Sequence, residues 1–181
     1  MPVYVGLLRA VNLGGNSPLN MEALRAVLSR DGLERVQSFL QSGNVVFHSG
    51  IESAADLEAL IEKRVAADLR VRTLVFLRTA EEWSAIVARN PFPREAEVDP
   101  SHLVVTVLKN APSKDAWRRL DSAPHDSERC SGAGRHAYIV YPDGIGRSRL
   151  TLTAIEKALG TPGTSRNWNT VRKLASISAG Y

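Results

Sequence analysis

The stretch VQSFLQSGNVVFHS, residues 36–49, decides the fold. Two β-rich runs, Val36–Gln41 and Val45–Ser49, flank Ser42-Gly43-Asn44. A short polar link containing Gly between two such runs is a compact hairpin signal. Upstream lies a helical pattern. Asn20 suits an N-cap, Met21, Leu24, Val27 and Leu28 recur on one face, and Gly32 stands where a C′ glycine belongs. Before that helix comes Val3–Arg9, a β-rich run closed by a turn-rich segment with Asn12, Gly14, Gly15, Asn16 and Pro18. Downstream, a second helix opens at Ser53 with Leu57, Leu60, Ile61 and Val65 on one face, and Val71–Leu77 reads as a strand. The order is βαββαβ, the ferredoxin-like split unit.

The remainder reads as a weaker echo of that order. Thr79 suits the cap of a third helix, which ends before Asn90-Pro91-Phe92-Pro93 because proline disfavours helical geometry in the residue before it. Residues 90–100 are acidic, rich in proline and aperiodic. His102–Lys109 and His136–Tyr141 read as strands, with a weaker one around Ser127–Ser131. Helices start near Ser113 and at Ser148 or Thr151, and the closing strand is expected to be replaced by a helical tail from Asn167 to about Ser178. The expected fold is therefore α+β: a ferredoxin-like subdomain over 1–78, a helix and linker over 79–100, and a degenerate, related α+β subdomain over 101–181.

Composition narrows the function classes. The chain has 181 residues, 44% hydrophobic and 23% charged, with a net charge of +4, so it can bury a core and shows no sign of disorder. The apolar run Val3–Leu8 is too short to span a bilayer, and no basic segment precedes it, so neither a membrane anchor nor a secretory signal is expected. A single cysteine, Cys130, suits a reducing, cytoplasmic compartment. The four histidines (48, 102, 125 and 136) lack metal-site spacing, so no metal is expected. Gly144-Ile145-Gly146-Arg147-Ser148 completes neither phosphate-loop pattern. No catalytic constellation stands out, and neither an enzyme activity nor a cofactor can be assigned.

Four blocks remain: Leu7–Gly15, Gln41–Val45, Asn90–Phe92 and Thr164–Thr170. In order and content they resemble the signature blocks of a bacterial family, the domain of unknown function 1697 (DUF1697). Ala10 departs from the glycine many members carry. The resemblance implies two α+β subdomains, the first ferredoxin-like, and no settled activity.

Strand geometry adds a site to that resemblance. In a βαββαβ sheet the exit of strand one and the turn between strands two and three lie at the same end. Arg9, Asn12, Gly14 and Gly15 are thus expected beside Gln41, Ser42 and Asn44. Arg9 supplies a planar fork for a small anionic ligand, with amides to orient it. Arg166, Asn167, Trp168 and Asn169 are candidates to close this site; alternatively, Asn167 or Asn169 caps the tail helix and Trp168 anchors it. A nucleic-acid-binding module is the second reading. Val3–Leu8 resembles the first strand of RNA-recognition domains, but the third strand has Ser42 and Asn44 where stacking rings belong. A structural or interaction protein without a ligand is the third.

Overall fold

The computed structural model describes residues 1–9, 19–123 and 125–181. Asn12, Gly14 and Gly15 lie outside these. The chain forms two compact units, Met1–Ala88 with Lys173–Tyr181, and Arg89–Arg172.

In the first unit β1 (Val3–Leu8), α1 (Met21–Arg30), β2 (Glu34–Phe39), β3 (Asn44–His48), α2 (Ala54–Leu69) and β4 (Val75–Thr79) follow in order, and α3 (Ala80–Ala88) completes it. The sheet order is β2-β3-β1-β4, antiparallel throughout. Asn20 accepts from the Ala23 amide at 3.0 Å and Ser53 from the Asp56 amide at 3.2 Å, so each α-helix starts on a side-chain cap. Thr79 and Glu82 form a reciprocal capping box at α3, at 3.1 and 2.9 Å. Alternation then divides the sheet. Tyr4, Leu8, Val45, Phe47, Val75 and Leu77 pack with Leu24, Leu28, Leu57 and Ile61 from the helices. Val5, Leu7, Asn44, Val46, Phe76 and Arg78 occupy the opposite face, and they too are buried.

Strand β2 starts two residues earlier than the sequence predicts and carries an irregularity. Its register against β3 shifts between Glu34 and Gln37, and Arg35 adopts φ +53° there. A residue in the left-handed region lets the extra residue of a bulge be absorbed. The Tyr181 hydroxyl reaches the carbonyls of Arg35 at 2.6 Å and Val46 at 3.0 Å, and the Arg35 guanidinium lies over its ring.

The second unit begins with a short helix, α4 (Pro93–Val98), inside the segment read as aperiodic linker. Pro91 disfavours helical geometry at Asn90 while Pro93 fits the first turn of α4, so two prolines of one block end one helix and start the next. There follow β5 (Leu103–Leu108), α5 (Lys114–Asp121), β6 (Arg129–Ala133), β7 (His136–Val140), a 3₁₀ turn at Ile145–Arg147, α6 (Leu152–Leu159), β8 (Gly163–Asn167) and α7 (Trp168–Ala179), whose last residues belong to the first unit. The closing strand expected to be missing is present: β8 pairs with β5 from Asn167↔Val104 to Gly163↔Leu108. Its sequence, GTSRN, lacks apolar alternation and begins with glycine, which hides it from a periodicity reading.

The two units repeat one plan. The second sheet runs β6-β7-β5-β8, antiparallel throughout. Val5 lies between Val46 and Arg78, and Val105 between Tyr138 and Arg166. The Leu8 amide donates to Gly43 O at 2.7 Å, as Leu108 does to Arg135 O at 2.8 Å. The edge strands are protected alike. Glu58 and Glu62 of α2 accept from the amides of Leu77 and Val75, and Glu156 of α6 from that of Gly163, all at 2.8 Å. An edge amide left bare invites pairing with another chain.

Glu58 is buried, so its removal strands the Leu77 amide. Glu58→Ala should cost about 2 kcal/mol, the scale of a hydrogen bond to a charged group, seen as a lower urea midpoint at unchanged slope. A loss below about 0.5 kcal/mol, within the scatter of ordinary surface substitutions, would contradict this role.

Candidate functional site

Arg9 directly follows β1 and is half-buried. Its amide donates to Leu74 O at 2.9 Å, and its carbonyl accepts from the Thr73 hydroxyl at 2.8 Å. These contacts bring the chain entering β4 alongside the chain leaving β1. The result is a cavity of about 350 Å³ lined by Arg9, Arg72, Thr73 and Leu74. Arg72 was not recognised from the sequence. The signal was available, since antiparallel pairing of β1 with β4 sets the residues entering β4 beside those leaving β1.

The hairpin turn meets the same end of the sheet through the Leu8–Gly43 hydrogen bond. Its members divide by role. Asn44 is buried, and its amide nitrogen donates to Phe39 O at 2.8 Å and to the Ser42 hydroxyl at 2.9 Å. Those bonds brace a turn in which Leu40 and Gly43 both have positive φ. Asn44 and Ser42 are thus engaged within the turn. Gln41 is exposed and lines a second cavity, of about 450 Å³, with Leu19, Asn20, Met21, Glu22 and Arg25. Arg25 also donates to the Ser38 hydroxyl.

Arg166, Asn167, Trp168 and Asn169 belong to the second unit. Arg166 and Asn167 end a strand rather than begin a helix. The Arg166 guanidinium donates to the Thr164 hydroxyl and to Ser165 O, each at 2.9 Å. Burial pulls its pKa down to about 10. Asn167 accepts from the Thr170 amide at 3.0 Å and so caps α7, Trp168 is buried at 4% exposure, and Asn169 is exposed.

The face of the first sheet opposite α1 and α2 bears on nucleic-acid recognition. Val5, Leu7, Asn44 and Val46 on that face are buried, and Phe47 points into the helix-covered core beside Tyr4. An RNA-recognition sheet stacks bases on exposed rings of its third strand; here neither Asn44 nor Val46 supplies one. Among the described residues no group of three or more His, Cys, Asp or Glu is gathered to hold a metal ion. No described helix is long and apolar enough to cross a membrane. Asp99 and His102 pair at 2.7 Å in a half-exposed loop, and Ser101 donates to Asp99 rather than facing the imidazole. A nucleophile and its base are therefore not aligned there.

The sequence profile of a family described as "Protein of unknown function (DUF1697)" matches residues 1–138. The chain belongs to that family. Among solved structures it is similar to a conserved bacterial protein, SP0830 from Streptococcus pneumoniae, with 21% identity, 98% of each chain covered and a TM-score of 0.73. That likeness carries the fold. The solved protein TA0507 aligns over 98% of this chain at 14% identity and a TM-score of 0.28. No curated protein matches the chain.

Cys130 allows a direct check on nucleophilic chemistry. Burial pushes its thiol up to about 11, helped by the charges of Asp121 and Glu128. A thiol raised this far is protonated at neutral pH and inert. Alkylation of the native protein by iodoacetamide should be slow at pH 7 and rise about tenfold per pH unit towards about pH 11, as the thiolate fraction does. Stability should be complete below the ordinary thiol range, about 8.5, and fall as pH climbs through it towards about 11, because the unfolded thiol ionises first. An alkylation profile with its midpoint at or below about 8.5 would contradict the buried-thiol assignment.

Proposed function

We propose that the protein binds a small anionic or polar ligand at the end of the first sheet where β1 exits, between the β2–β3 turn on one side and the chain entering β4 on the other. The observation that carries this reading is a cavity of about 350 Å³ at the β1 exit with both Arg9 and Arg72 in its lining. Arg72 makes no ion pair or hydrogen bond among the described residues. A concavity lined by two arginines favours an anion, and the Arg72 guanidinium offers a planar fork that fits carboxylate or phosphate oxygens. The second cavity, with Gln41 and Arg25, extends the polar surface on the hairpin side. Thr73 holds the Arg9 backbone in place, so the charge sits on a strand end fixed by both neighbouring strands. A lone, inert cysteine agrees with work in a reducing bacterial cytoplasm.

Thermal unfolding with pyrophosphate and with citrate tests this proposal on wild type, Arg9→Ala and Arg72→Ala. A ligand at a hundredfold excess over its Kd stabilises by about 2.7 kcal/mol, which for a chain of this size raises Tm by roughly 5–10 °C. Either anion should raise the wild-type Tm, and each variant should lose most of the rise. Equal shifts in all three proteins would sink the site.

A further inference from the structure

The Asn90-Pro91-Phe92 block is not used by the site above, and it stands beside a different cavity. This one, of about 180 Å³, lies wholly in the second unit and is lined by Arg89, Pro91, Ser131, Ala133, Gly134, His136 and Tyr138. Its floor follows from strand register. Ser131 is opposite Tyr138 and Ala133 opposite His136, so all four project from one face of the β6–β7 hairpin. The two rings meet edge to face, with centroids 5.2 Å apart and planes at 85°. Its wall is braced by Asn90, whose side chain accepts from the Phe92 amide at 3.0 Å and donates to Phe92 O at 3.3 Å, fixing Pro91 between them.

Two polar groups at this cavity are uncommitted. The Arg89 guanidinium and the Ser131 hydroxyl each lack a hydrogen-bond or ion-pair partner among the described residues. The next cation on the same strand face, Arg129, is different: it pairs with Glu95 and lies over the Phe92 ring. One uncompensated positive charge therefore faces a concavity whose other walls are proline, alanine and ring edges. Arg89 acts on Tyr138 electrostatically, opposing the burial that pushes the phenol up to about 12. The phenol therefore stays protonated at neutral pH.

Size and charge then define the ligand. A cavity of about 150 Å³ suffices for benzene in another protein, so this one accommodates a single ring with a small head group. One guanidinium, one hydroxyl and apolar walls match a monoanion with an apolar body; a phosphate dianion would call for a second free cation. We propose that the second unit holds a binding site for a compact aromatic or similarly flat carboxylate, with Arg89 as its charge partner, Ser131 as a further hydrogen-bonding group, and Pro91, Ala133 and the two rings as its walls. This site is independent of the one at Arg9.

Titration with 4-fluorobenzoate, followed by fluorine NMR, tests the proposal, with uncharged 4-fluorobenzamide as the control. Wild type should bind the acid at millimolar concentrations and the amide far more weakly. Arg89→Ala, a change at an exposed side chain that leaves the core intact, should weaken binding about tenfold or more, the scale of one charge-assisted hydrogen bond. Ala133→Leu should fill the cavity and block binding, while Arg9→Ala should bind as wild type does. Absence of binding to wild type, equal affinity in Arg89→Ala, or equal binding of the amide overturns the proposal. Loss of binding in Arg9→Ala removes its independence from the first site.

Discussion

Each sheet is built around a strand bonded on both sides, β1 in the first and β5 in the second. With Val5 fixed between Val46 and Arg78, and Val105 between Tyr138 and Arg166, no strand can slip without turning its whole apolar set over. Much follows from that constraint. It aligns the β1 exit with the β2–β3 turn, so that Leu8 reaches Gly43. It also sets Ser131, Ala133, His136 and Tyr138 on one face of the second hairpin. Both proposed sites sit at points where register, rather than any local motif, brings side chains together.

The same constraint explains the edges. A central strand with two partners leaves β4 and β8 with one open side each. Glutamates on the helices that precede these strands accept their outward amides, which means α2 and α6 satisfy backbone donors as well as cover the sheets. Glu58 therefore sits on a face that hydrophobic periodicity would assign to an apolar residue. Leu60, which that periodicity places on the core face, is only partly buried.

How much was legible in the sequence depended on which forces acted locally. Asn20, Ser53, Thr79, Ser113 and Thr151 all cap the helices that follow them, because a cap is decided within three residues. The hairpin at Gly43 and the order of the first unit were legible for the same reason. Strand β8 was not, because GTSRN becomes a strand through its ladder to β5 and the glutamate at Gly163 rather than through propensity. Of the candidate site, Arg9 and Gln41 line cavities, whereas Asn44 and Asn167 serve a turn and a cap. An amide that orients a ligand and one that braces a turn look identical in sequence; only the neighbouring carbonyl or amide distinguishes them.

Charge was the least legible property, since a net +4 says nothing about where the positive charge goes unmet. Arg30, Arg64, Arg118, Arg129 and Arg149 each face a carboxylate and are neutralised within the fold. Arg78 and Arg166, at equivalent positions of the fourth strands, each fold back onto the carbonyl of the preceding residue. That repetition makes the contact part of the plan the two units share. Arg72 and Arg89 are different: neither repeats in the other unit's cavities, neither meets an acid among the described residues, and each borders a concavity. An arginine held by its own fold stabilises structure; one held beside an empty volume, without a counter-charge, has its counter-ion left to be supplied from solution. That distinction, more than the total charge, makes anions the class of ligand to test.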